Sequence, residues 1–166
     1  MNVSTRATGS WRRILGTLTL AVLLEQLPWS GWALIARPDF VLVGVLFWTL
    51  HQPARIGFGT AFMLGLLADF QDGAVFGQHA IAYVIGAYLV LYLRLRLLQF
   101  DPHRQAAQMF PILLGVQLVL LLVGWLAVNP PTGLGILIPV LSSTVLWYLV
   151  ALFVRLWHGR GAQDRA

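Results

Sequence analysis

Residues 105–154 read QAAQMFPILLGVQLVLLLVGWLAVNPPTGLGILIPVLSSTVLWYLVALFV, a run without a single charge, bounded by Arg104 and Arg155. As one helix it would extend about 75 Å at ~1.5 Å per residue, more than twice the ~30 Å hydrocarbon core of a bilayer. The chain must therefore turn inside it. Asn129-Pro130-Pro131-Thr132-Gly133 is the one strong break near its middle, because proline cannot continue a helix and its neighbours favour turns. The run divides into two predicted transmembrane helices, near 106–128 and 134–155.

The rest of the chain follows the same pattern. Gly73 to Leu93 is a second uncharged block and predicts a span near 75–93. Three shorter blocks, Ile14–Leu27, Phe40–Leu50 and Ile56–Phe70, are divided by Pro28, by Arg37-Pro38-Asp39 and by His51-Gln52-Pro53-Ala54-Arg55. Flanking Trp and Arg extend them by snorkelling, which predicts short spans near 12–28, 38–51 and 55–71; a single re-entrant pair is the alternative. Pro53 is expected near a first helical turn, and Asp101-Pro102 as the N-cap and first residue of the fifth span. The fold class is thus an all-α integral membrane protein, one multi-pass domain of six transmembrane helices. Composition agrees. The chain has 166 residues, 58% hydrophobic and 10% charged, against ~45–50% apolar and ~25% charged for a soluble domain. A water-soluble monomer is excluded.

Charge sets the orientation. The chain has eleven basic residues, all Arg, and six acidic ones. With the N-terminus in the cytoplasm, Arg6, Arg12, Arg13, Arg55, Arg94, Arg96, Arg104, Arg155, Arg160 and Arg165 fall inside and only Arg37 outside. Basic residues favour the cytoplasmic side, so both termini are expected inside. The net charge of +5 is then a topology signal and not a nucleic-acid footprint. Trp11, Trp29, Trp32, Trp48, Trp125 and Trp157 lie near span ends, where amphipathic rings prefer the interface; Trp147 is the mid-span exception. A cleavable leader is not expected, since Glu25-Gln26-Leu27-Pro28-Trp29 follows the first apolar run and lacks a small-residue cleavage pattern.

Small residues and a carboxylate recur every four residues on the third span: Gly57, Ala61, Gly65 and Asp69. They share a helix face, and the small ones let another helix approach closely. Either a helix of this chain or a partner's helix can fill that seam. Asp69 at its outer end is directed into the bundle or a partner, because lipid offers a carboxylate nothing. Glu25 sits near the outer end of the first span, hydrated at the headgroup level or paired with Arg37. Asp39 suits the N-terminus of the second span, where the helix dipole favours an anion. Arg37, the lone outer Arg, pairs with Asp39, Glu25 or Asp69, or else binds a headgroup or partner. His79 is expected to be a satisfied interfacial histidine.

Catalytic signals are missing. Cysteine is absent, which removes thiolate metal sites and Cys nucleophiles. The four His are scattered without metal-ligand spacing, and neither a phosphate loop nor a nucleophile elbow occurs. No catalytic residue, cofactor or metal is expected.

Leu27-Pro28-Trp29 and Arg37-Pro38-Asp39-Phe40-Val41-Leu42 resemble the start of the bacterial rod shape-determining MreD family. Trp48, Pro53-x-Arg55-x-Gly57-x-Gly59-Thr60-x-Phe62, Gly65-x3-Asp69, Gly73 and Gly77 are similar in the same way. The resemblance is dense from residue 23 to about 90. It implies a multi-pass inner-membrane protein of the cell-elongation machinery. It implies as partners the bitopic protein MreC, then MreB filaments, RodA and a class B penicillin-binding protein, in support of lateral-wall peptidoglycan synthesis. It also implies a fold similar to the six-helix substrate-binding subunits of energy-coupling-factor transporters. The expected mechanism is packing against MreC's single span through Gly57, Ala61 and Gly65, with Asp69, Arg37 and Asp39 as further candidates, or else an internal seam with another face for MreC. Membrane lipid would meet the Arg94–Arg104 loop. The rival reading is a small-molecule-binding subunit of a transporter, which needs outer polar side chains converging on a pocket.

Overall fold

The computed structural model describes residues 3–73, 75–126 and 137–163, with side chains described for 11–73, 75–126 and 137–156. Among the described residues the structure is helical, without strands. The helices are α1 (Val3–Glu25), α2 (Trp32–Ile35), α3 (Phe40–His51), α4 (Phe58–Asp72), α5 (Gln78–Tyr92), α6 (Arg94–Leu97), α7 (Pro102–Leu126) and α8 (Leu137–Gln163). The expected break at residues 129–133 and the expected interfacial Trp157 lie outside the described residues or side chains.

α3 occupies the centre, touching α1, α4, α5 and α8. Its sequence explains why. Val41, Leu42, Val43, Val45, Leu46 and Leu50 are all buried, so the helix is apolar on every side, the mark of a core helix. α5 packs against α4, α3 and α7, and α7 against α8. Trp147, which breaks the interfacial pattern of the other tryptophans, is fully buried. Its Nε1 points at Gln105 Oε1 at 3.4 Å, while Gln105 Nε2 donates to Leu97 O. A mid-span indole is tolerated here because its polar edge has a partner.

Among the described residues, three segments are long and apolar enough to cross a membrane: Trp32–His51, Pro102–Leu126 and Leu137–Leu156. α4 and α5 have 15 residues each, about 22 Å of helix, and fall short of that length. On α8, Leu141, Val145, Leu149 and Phe153 form an exposed row at four-residue spacing, and Leu118, Leu122, Trp125 and Leu126 are exposed on α7. Soluble monomers rarely expose apolar surface so contiguously.

The polar contacts gather at two ends of the bundle. At one end Arg155 meets Asp101, Arg94 Nε donates to Leu50 O and Arg55 sits over Trp11. At the other lie Glu25, Arg37, Asp69, Asp72 and His79. α1, α3, α4, α5, α7 and α8 therefore run alternately between the ends. One local expectation is corrected. Pro53 is not in the first turn of α4. Residues 53–57 form a turn, Gly57 caps the helix, and the Thr60 hydroxyl accepts from Gly57 N–H and donates to Gly57 O. Thr60 closes the first turn with one hydroxyl, so the helix starts at Phe58.

Candidate functional site

The seam on α4 is closed by α5 of the same chain. Ala61 is fully buried and Asp69 is 1% exposed. A Cβ added at Gly65 would stand 2.4 Å from Ala80 Cα and 2.7 Å from Ala80 N, so α4 and α5 meet backbone to backbone at this point. Only glycine permits that approach. Of the two ways to fill the seam, the internal one is realised at Gly65. Gly57 itself caps α4 at the opposite end from Asp69.

One turn beyond Gly65, Asp69 ties the start of α5. Its Oδ2 accepts from Gly77 N–H at 2.8 Å. Its Oδ1 accepts from His79 N–H at 2.7 Å and lies 2.9 Å from His79 Nδ1. Gly77 holds φ at 98°, a conformation that L side chains avoid, and this turns its N–H back toward the carboxylate. A carboxylate at the N-terminus of α5 satisfies amides that have no intrahelical acceptor and complements the dipole. Because Asp69 accepts, His79 Nδ1 carries the proton. His79 Nε2 then faces Asp72 Oδ2 at 3.7 Å, too long for a hydrogen bond.

Asp39 does the same for α3. It is the N-cap residue, and its Oδ1 accepts from Leu42 N–H at 2.7 Å. Tyr83 Oη donates to the same carboxylate, 2.7 and 2.8 Å from its two oxygens, and Asp39 N–H donates to Ser143 Oγ at 2.9 Å. Three helices, α3, α5 and α8, are thereby pinned at one residue. The Tyr83 ring stands edge-on to His79, with centroids 5.9 Å apart.

Arg37 links the remaining acids. Its Nε is 3.4 Å from Glu25 Oε1, one terminal nitrogen donates to Glu25 O at 3.2 Å, and the other reaches Asp72 Oδ1 at 3.3 Å. Glu25 Oε2 in turn accepts from Phe40 N–H, next to Asp39. Of the three partners expected for Arg37, Glu25 is found; Asp72 replaces Asp39 and Asp69, whose oxygens are taken by helix amides, His79 and Tyr83. Arg37, Asp39 and Asp69 come together with Glu25, Asp72 and His79 in one continuous polar cluster. Tyr83 and Ser143 complete it and were not singled out from sequence. Tyr83 follows His79 by four residues, so their shared helix face was a readable signal; Ser143 gave none.

Four carboxyl groups, those of Glu25, Asp39, Asp69 and Asp72, gather here with one guanidinium and one imidazole. The carboxylates are engaged by backbone N–H groups, a phenol and a guanidinium. Chemically, the arrangement clamps the ends of α1, α3, α4 and α5 and the body of α8. Among the described residues, no group of three or more His, Cys, Asp or Glu side chains is arranged to hold a metal.

A family model described as rod shape-determining protein MreD matches residues 5–157. A curated protein of Haemophilus influenzae, "Rod shape-determining protein MreD", is 31% identical over 96 residues, which is 57% of this chain and 59% of that protein. The aligned part thus spans less than two thirds of that relative's length. No solved structure matches the chain.

Proposed function

Because the chain belongs to the rod shape-determining protein MreD family, we propose that it serves bacterial rod-shape determination as a non-enzymatic scaffold in the cytoplasmic membrane. The observation that carries this reading is the family match over residues 5–157, which takes in most of the helical bundle. The scaffold is a single multi-pass domain with six spans, α1, α2 with α3, α4, α5, α7 and α8, and both termini in the cytoplasm. Ten of eleven Arg on one side support that orientation. The short α4 and α5 are accommodated by local thinning of the bilayer, which costs only a fraction of a kcal/mol per Å of mismatch. Similarity to energy-coupling-factor subunits belongs to the same proposal.

Its direct partner is MreC, with MreB, RodA and a class B penicillin-binding protein in the same assembly, and its output is support of lateral-wall peptidoglycan synthesis. The seam on α4 is filled by α5, so MreC's span meets an outward apolar face. The rigid end clamp suits a scaffold, because it holds helix ends in one geometry and leaves the outward faces to partners. Affinity purification of the tagged protein from native membranes tests this directly. MreC is expected to co-purify in stable proportion; its absence under conditions that keep the protein folded would refute the partnership.

The transporter-subunit alternative asks for outer polar side chains aimed into a pocket. Glu25, Arg37, Asp39, Asp69, Asp72 and His79 are instead directed at one another and at backbone amides, which disfavours it. Tight retention of a vitamin by the purified protein would reverse that preference.

A further inference from the structure

The end of the bundle opposite the acid cluster holds a cavity of about 410 Å³ between the last turn of α3, the corner that leads into α7, and α8. That volume falls within the ~300–1,000 Å³ range of ligand pockets. Phe47, Phe100, Ala151 and Val154 give it an apolar wall. The polar group in its floor, Gln105, is 8% exposed and already engaged at both ends, to Leu97 O and to Trp147. His51 lies flat on Phe47, centroids 4.2 Å apart, with Nδ1 donating to Phe47 O. The interior therefore offers little to orient a polar molecule.

Its mouth is different. Arg155 and Asp101 pair across it at 2.6 Å, with side chains 61% and 53% exposed, and a pair so hydrated is readily exchanged for another anion. The Arg96 guanidinium sits 6.0 Å over the Phe100 ring that lines the cavity, and Arg104 is exposed in the first turn of α7. Asp101 is the one acid among the described residues at this end, against Arg94, Arg96, Arg104 and Arg155.

We propose that this cavity binds one anionic phospholipid, with an acyl chain against Phe47, Phe100 and Ala151 and the headgroup phosphate at Arg155. An apolar interior with cations confined to the mouth selects an amphiphile with a negative end, and the bilayer supplies that chemistry at the depth where the cavity opens. The inference rests on the membrane reading and not on the partnership with MreC.

Native mass spectrometry of the full-length protein, released from detergent with added phosphatidylglycerol or phosphatidylcholine, tests it. One phosphatidylglycerol is expected to stay bound in preference to phosphatidylcholine. Arg155→Gln, an exposed position, should weaken that preference about fivefold, as for loss of one basic residue at an anionic surface. Ala151→Leu, which pushes a larger side chain into the cavity from its apolar wall, should weaken retention of either lipid. Helical circular dichroism and an unchanged gel-filtration profile establish that each variant is folded; should Ala151→Leu misfold, Val154→Phe takes its place. Equal retention of the two lipids, indifference to both substitutions, or displacement by inorganic phosphate at low millimolar concentration would overturn the proposal. So would a dimer that the cavity substitution dissociates, since the occupant would then be a second copy. Failure of lipid selectivity in a protein that still needs detergent for extraction rejects this site and leaves the membrane reading standing.

Discussion

Replacing Gly65 with alanine adds one carbon, and the structure places that carbon 2.4 Å from Ala80 Cα, 2.7 Å from Ala80 N and 2.8 Å from His79 C. All three are backbone atoms and cannot rotate away. Non-bonded carbons rest at about 3.5–4.0 Å, so α4 and α5 must separate by roughly 1 Å or more. Overpacking of this kind costs ~1–3 kcal/mol. Separation also stretches the bonds from Asp69 to Gly77 and His79, one turn away, and losing one such charged hydrogen bond costs ~1.5–3 kcal/mol. The gain in helix propensity returns ~1 kcal/mol. The net destabilisation is on the order of 2–4 kcal/mol. Gly59→Ala supplies the control on the same helix: nothing lies within 4 Å of its added carbon, so only the propensity gain of up to ~1 kcal/mol remains. Unfolding of the detergent-solubilised protein by SDS titration, followed by far-UV circular dichroism, reads both. The two substitutions should move stability in opposite directions. If Gly65→Ala proves as stable as Gly59→Ala, the backbone contact between α4 and α5 is wrong.

Three further outcomes are expected. Tyr83→Phe removes the hydroxyl that donates to Asp39 and should cost ~1.5–3 kcal/mol, as for a hydrogen bond to a charged group; the same SDS titration checks it, and an unchanged midpoint would mean that Asp39 is held by its backbone donor alone. Asp69→Ala leaves the Gly77 and His79 amides without acceptors and should destabilise by about 3 kcal/mol, since each unpaired buried group costs ~1–3 kcal/mol; hydrogen exchange at those two amides should accelerate, and intact protection would contradict the clamp. Topology reporters fused after Ala33 and Asp72 should report the outer side, and after Pro53 and Phe100 the cytoplasm; a cytoplasmic signal at Asp72 would sink the six-span arrangement.

Local features were readable in the sequence to the extent that their causes are local. The four-residue recurrence of Gly57, Ala61, Gly65 and Asp69 marks a seam, because helical periodicity puts those residues on one face. What fills the seam is a tertiary fact, as a small-residue face suits an internal helix and a partner's helix equally. Asp39 was legible as an anion at a helix N-terminus from Arg37-Pro38-Asp39 alone; that it is the N-cap residue itself is a structural finding. Its grip on Tyr83 and Ser143 was not, since those partners lie 44 and 104 residues away; the four-residue spacing from His79 marks the helix face of Tyr83 but not its partner, and nothing near Ser143 marks it. Arg37 stands out in the sequence as the lone outer cation in need of an acid, and Glu25 is one of the acids near it. Asp69, not Asp72, carries the periodic signal, yet the amides at the start of α5 claim Asp69 and leave Asp72 to Arg37. The start of α4 was misplaced for a related reason: Pro53 is a strong local signal, yet the Gly57–Thr60 hydroxyl cap four residues later is where the helix begins. Trp147 shows the converse. Its failure to fit the interfacial pattern was visible, and its burial against Gln105 is the reason.

Depletion of the protein in its native rod-shaped host, followed by microscopy over several generations, tests a shape-determining role most directly. Cells are expected to widen and round as the protein disappears, and to recover when the wild-type chain is restored. Cells that keep growing as rods of normal width after the protein has fallen below detection would contradict that role.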